Sequence, residues 1–550
     1  MRLPVAILVF VAASVTAAVA LAFPLGGLSP ALAWTAFAIG AAAAVAAWRG
    51  TPSQKSPAPT AWDILLLCVF ALASLRAFLW LIYPVGDEWR VLSPNNLGDL
   101  SKHIHFIRYL ANGVEFWPES PFFPSVPLSY YLGTDLFNAL LLCVGIPLEK
   151  GLVWVGLCGA ALSAWALWRW GGAFAIAALL FNGGLAGLLI FRGGQLGDFQ
   201  SELGWKNFFL SMFVTQRALL FAIPASFLLL SSWRGSFFRS EMKIPRWVAY
   251  LLYATMPIFS IHAFAFLSLV LAAIFVVLPV ARRPLFLFVA AAFPVASALV
   301  YFVTGGFSQE AAAHWHPGWM QAGPDWIEWL NKTLQPAPPL PPPFPELLFW
   351  VINFGVSLPL LGILAWQTAR KRSLELLSFA APSLLLFAAS CFFRFAPWEW
   401  DNTKFFIWAW LCCAPYLWST ISCWPLAVRL ATCTALFFSG TLSLMGGLDG
   451  RHGYRLVNRS ELAQAEAILS QVPFEDRIAT EPTFDNPAVL LGRPVVCGYE
   501  GMLWAHGLDY RSTFECLNDV LAGRDLGMKK ARLINAKWIL RDKDELIKVE

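Results

Sequence analysis

The chain has 550 residues, of which 58% are hydrophobic and only 13% charged, and its mean hydropathy of +0.61 exceeds what a soluble core needs. Repeated apolar runs near membrane length exclude an ordinary soluble protein of several domains, because bilayer thickness then fixes element length. The formal charge of +5 implies no nucleic-acid partner, since the basic residues sit in short loops beside the runs, where they set orientation.

In chain order the apolar runs predict about thirteen transmembrane helices, at 5–22, 28–48, 62–84, 151–168, 171–191, 208–232, 247–261, 263–281, 284–304, 347–368, 373–393, 404–422 and 425–447. Arg2 and the small residues ending the first run also fit a cleavable signal peptide. An N-terminus inside the cell puts Arg49 and Lys55, Arg169, the group Arg234, Arg239, Lys243 and Arg246, the pair Arg282 and Arg283, and Arg370, Lys371 and Arg372 all in the cytoplasm. This holds only if the apolar stretch 128–146 does not cross. Asp135 and Asn138 within it agree, because a carboxylate facing lipid is costly. The expectation is an all-α polytopic protein of the plasma (inner) membrane. Its transmembrane domain covers 1–448, with outer loops at 85–150 and 305–346, and an extracytoplasmic α/β tail covers 449–550.

The acids Asp87, Glu88, Asp99, Glu119 and Asp401 all fall on the outer side in this arrangement. From Leu100 onward the apolar residues Leu100, Ile104, Ile107, Leu110 and Ala111 form one helical stripe, with Lys102, His105 and Arg108 opposite. Asp99 therefore opens an amphipathic helix on the membrane, where capping that helix is the plain alternative to chemistry. His103 and His105 are two residues apart, about 200° around a helix, so they do not share an ion. In the segment 305–346, Trp319, Trp326, Trp329 and Leu330 recur near helical spacing beside Asp325 and Glu328, followed by a proline-rich run through 345. That pattern predicts an interfacial helix and a stiff spacer, either a surface loop or a lid. Arg217 lies in the outer half of the span 208–232, where it must face the bundle interior and meet either a substrate anion or a structural carboxylate. Between two spans, Arg394, Glu399, Asp401 and Lys404 crowd a short turn with Trp398 and Trp400, and His262 sits at a break between runs. Eight of the ten cysteines lie in apolar runs, while Cys497 and Cys516 are free to pair if the tail is extracytoplasmic. In that tail VVCGY and KWIL predict strands, and Arg493, Tyr499, Trp504 and His506 are candidates for acceptor contact.

The run GDLSKHIHFIRYLANG followed by EFWPESPFFPSVPLSYYLGTDLFNALL resembles the first extracytoplasmic loop of the GT-C superfamily of integral membrane glycosyltransferases. The likeness continues through Phe181-Asn182-Gly183-Gly184, the Gln216-Arg217 pair, Trp400-Asp401-Asn402-Thr403-Lys404 and the tail run GRPVVCGYEGMLWAHGLDY. The resemblance implies a GT-C-like bundle and a lipid-phosphate-linked sugar donor, with an acceptor of unknown type (glycan, lipid or protein). It also implies an inverting transfer in which an acidic residue of this loop is the catalytic base. Asp99 matches that position, with Asp87 and Glu88 as the competing match. Lys102, His103, Arg217, His262, Arg394, Asp401, Asn402 and Lys404 are then the expected substrate-binding set. No metal-ligand set is expected, although some members of the superfamily use a divalent cation. The competing reading is a transporter or flippase of a lipid-linked or hydrophobic substrate, and a third is a ligase or polymerase of surface glycans; against transport, the acids gather at one face and no internal repeat is visible.

Overall fold

Two apolar stretches joined by Gly26 and Gly27 open the chain as a helical hairpin, Arg2–Leu25 against Pro30–Gly50. The glycines are needed there: both hold positive φ, and a Cβ on Gly27 would lie 2.4 Å from the Gly113 carbonyl oxygen. The structure is a computed structural model that describes all residues except 54–57, 94, 193, 202, 240–242, 307–312, 322–343, 397, 451–452, 524–526, 542–544 and 550. Lys55, Asp325, Trp326, Glu328, Trp329, Leu330 and the prolines up to Pro343 lie outside the described residues, as does the side chain of Glu399.

Among the described residues eight helices are long and apolar enough to cross a membrane, or nine if the pair Glu346–Phe354 and Ser357–Lys371, bent by 83°, is one span. The protein is a multi-pass membrane protein. The criterion of length and composition yields fewer spans than the thirteen runs, because hydropathy does not register breaks. Leu148–Leu180 contains one at Gly171 and Gly172, where Gly172 has φ 63, and the Asp63 carboxylate caps the restarted helix through the Ala173 N–H at 2.8 Å. The run 208–232 begins as a π-turn, Phe209–Phe213, and becomes α-helical only at Leu219. The run 247–261 gives the short helices Arg246–Ala254 and Met256–Phe259, and Ser260 caps the next, Ile261–Val277.

The stretch 128–146 forms an eleven-residue helix, Gly133–Cys143. At 1.5 Å per residue this is roughly 16 Å, too short to cross a ~30 Å hydrocarbon core. It packs instead against the helix Asn96–Ala111 of the loop 85–150.

The tail does not stand apart. Its strand Tyr454–Asn458 completes a three-stranded antiparallel sheet with Tyr83–Val85 and Glu88–Val91 of the first long loop. A second small sheet carries Ile478–Ala479, Trp538–Arg541 and Glu545–Lys548. The KWIL strand is therefore present, whereas VVCGY forms only a bridge from Val495 to Ile478; the Val495 and Gly498 N–H groups donate instead to Pro121 and Phe122 of the first loop. Cys497 and Cys516, which the sequence left free to pair, are separate thiols.

Candidate active site

The helix Asn96–Ala111 starts three residues before Asp99, with Asn95 ahead of it. Asp99 is thus inside the first turn and is not the cap. Its carboxylate turns sideways, accepting from Lys102 Nζ at 2.9 Å on Oδ1 and from Gln216 Nε2 at 2.9 Å on Oδ2. Burial works to raise its pKa, but the positive charges of Lys102, His103 and Lys404 outweigh this and hold the carboxyl below its ordinary range. It is therefore an ionised, oriented oxygen acceptor at neutral pH.

One helical turn on, His103 points into the protein and pairs Nδ1 with Asp135 Oδ2 at 2.8 Å, both side chains being buried. His105 faces the other way, against Phe122 at a ring separation of 4.5 Å, as its spacing requires. Arg217 stands at the break before Leu219–Arg234, 1% exposed. Its Nη2 donates to the Leu152 carbonyl at 3.1 Å, and Asp135 is the anion whose charge acts on it. Its Nε and Nη1 are buried with no hydrogen-bond partner among the described residues.

The second wall comes from the start of helix Thr403–Ile421. Lys404 Nζ lies 2.9 Å from Asp401 Oδ2 and donates to the Tyr131 hydroxyl at 2.8 Å. His262 packs edge-on to Tyr131 at 5.9 Å and against Phe405 at 5.0 Å, within reach of the Lys404 and Asp401 charges. Tyr130 stacks on Tyr131 at 4.3 Å, takes Lys102 Nζ over its ring at 5.0 Å, and stacks on His506 of the tail at 5.6 Å. Burial, with Lys102 next, holds the His506 imidazole down at about 4, so it is neutral at pH 7. Asp99, Lys102, His103, His262, Asp401 and Lys404 thus converge on one polar centre, walled by two tyrosines and one residue of the tail.

No family model and no curated protein matches the chain. In structure it is similar to the apo form of the oligosaccharyltransferase of Archaeoglobus fulgidus, with a TM-score of 0.47 and 11% identity over 87% of this chain and 69% of that one.

Four of the expected site residues make contacts outside this centre. Asp87 caps the tail helix Arg459–Leu469, accepting from the Ser460 N–H at 3.1 Å and from its hydroxyl, while Glu88 pairs with Arg90 at 2.6 Å. Asn402 clips its own loop, donating to the Phe393 carbonyl at 2.5 Å and accepting from the Phe395 N–H at 2.8 Å. Arg394 sits in a two-residue strand paired with His314–Trp315. Asp87→Ala should cost about 1 kcal/mol of stability, the usual worth of a lost cap. It should also raise amide exchange across 454–469 and leave turnover per folded molecule intact; loss of turnover at unchanged exchange would return Asp87 to the list of bases.

Gln216, Tyr130, Tyr131 and Asp135 are the members of the centre not assigned a site role from sequence. The adjacent Tyr130-Tyr131 pair four residues ahead of an acid in an apolar stretch is the signal that could have found them.

Proposed function

We propose that the chain is an inverting membrane glycosyltransferase that moves a sugar from a polyprenyl-phosphate donor to an acceptor hydroxyl on the extracytoplasmic face. The observation that carries this reading is one ionised carboxylate, Asp99, held between two hydrogen-bond donors, with a second buried cation, Lys404, close enough to act on its charge. Asp99 takes the proton of the acceptor hydroxyl as its oxygen attacks the anomeric carbon. The bond from that carbon to the phosphate oxygen breaks on the opposite side, which inverts the centre. Charge then builds on the departing lipid phosphate, where Lys404 and Lys102 stabilise it. Asp401 and the Tyr131 hydroxyl keep Lys404 in place, His262 packs against Tyr131, and Asp135 holds His103. Among the described residues no three His, Cys, Asp or Glu side chains are grouped as a metal-ligand set, and every role in this proposal is assigned to protein side chains.

Mass spectrometry of lipid-linked sugars and surface glycans in a deletion strain tests the reading. One polyprenyl-phosphate sugar should accumulate while one surface glycan loses a residue. Unchanged profiles of both would end it.

A further inference from the structure

The tail carries a cleft of about 680 Å³, within the range of small-ligand sites. One wall is aromatic, with Phe484 set edge-on to Tyr499 at 5.8 Å. Glu481, Asp485 and Glu500 also line it. The cation lining the cleft, Arg541, already lies 3.4 Å from Glu545, so the surface is acceptor-rich and negative. A lipid phosphate would be repelled there, which separates this cleft from the donor. Its wall also leads to the reacting centre. The Tyr499 ring packs over Gly98, 3.8 Å from where a Cβ would stand and one residue before Asp99. Tyr499 then opens the short helix Glu500–Ala505, which delivers His506 onto Tyr130.

Resting on the transfer reaction above, we propose that this cleft is the acceptor subsite and that the acceptor is a neutral saccharide chain. Aromatic faces take the C–H faces of sugar rings, and carboxylates accept from their hydroxyls without needing a charged partner. The volume holds roughly two sugar units.

The test is equilibrium binding, kept apart from turnover: saturation-transfer NMR of the full-length protein in detergent with neutral hexose and N-acetylhexosamine disaccharides. At least one disaccharide should bind, on the order of millimolar. It should bind the wild type and Asp99→Asn alike, and at least ~10-fold more weakly to Phe484→Ala and to Glu500→Gln. Thr483→Trp, at an exposed cleft position, should block binding by bulk without disturbing packing. Absence of disaccharide binding, or binding unchanged in all three cleft variants, overturns the proposal. Tighter binding of an oligolysine peptide, lost in Glu500→Gln, overturns the saccharide class. If Asp99→Asn binds and also transfers normally, the assigned reaction falls while the cleft stands.

Discussion

Asp99→Asn should lower transfer by about 10²–10⁴-fold, the contribution of a positioned general base, while leaving the protein folded. The substitution keeps the shape of the side chain, and Lys102 can still donate to the remaining oxygen. The Gln216 amide can turn to present Oε1, which has no hydrogen-bond partner among the described residues, to the new amide group. Melting temperature should therefore move little, and the loss should appear in kcat. The pH profile adds an independent check. Because Lys102, His103 and Lys404 hold the carboxyl below its ordinary range, wild-type activity should stay flat on the acid side through about pH 5. In Lys102→Met the burial that opposes ionisation is countered by fewer charges, so the pKa of Asp99 rises and the acid limb moves up. An acid limb that stays put in Lys102→Met, or full transfer by Asp99→Asn, removes Asp99 as the base.

The sequence discloses the components of this centre more readily than their partners. Asp99, Lys102, His103, Asp401 and Lys404 are visible as charged residues near membrane spans, and the positive-inside rule places them on one side, where the structure also brings them together. The non-crossing helix Gly133–Cys143 is legible for the same reason: Asp135 is too costly to face lipid. Hidden from sequence is the pairing of those charges over long separations. Gln216 reaches Asp99 from 117 residues away, and Lys404 reaches Tyr131 from 273. No local period encodes such contacts. The breaks at Gly171–Gly172 and Gly355 escape hydropathy because glycine leaves an apolar run apolar while freeing its backbone. The tail strand Tyr454–Asn458 is invisible as part of the first loop's sheet because its partner, Glu88–Val91, lies more than 350 residues earlier. The contact of Asp87 with Ser460, at the start of the helix after that strand, is hidden for the same reason.

Lys404→Met should cost about 10²–10³-fold in kcat, the scale of one lost group that stabilises a developing anion, with KM changed far less. A control is needed because removing the amine also leaves Asp401 and the Tyr131 hydroxyl without their shared partner, and an uncompensated, half-buried carboxylate destabilises on its own account. The double variant Lys404→Met/Asp401→Asn removes that unpaired charge. If Lys404 acts on the departing phosphate, the double variant should regain melting temperature yet remain as slow as the single one. If Lys404 is only the partner of Asp401, the double variant should recover transfer as well, and the phosphate would need another cation. Lys404→Arg sharpens the distinction: a guanidinium keeps the charge but is planar and broader than the compact ammonium it replaces. It should restore part of kcat where charge is what the reaction uses, and none where the fit between Tyr131 and Asp401 is the only requirement.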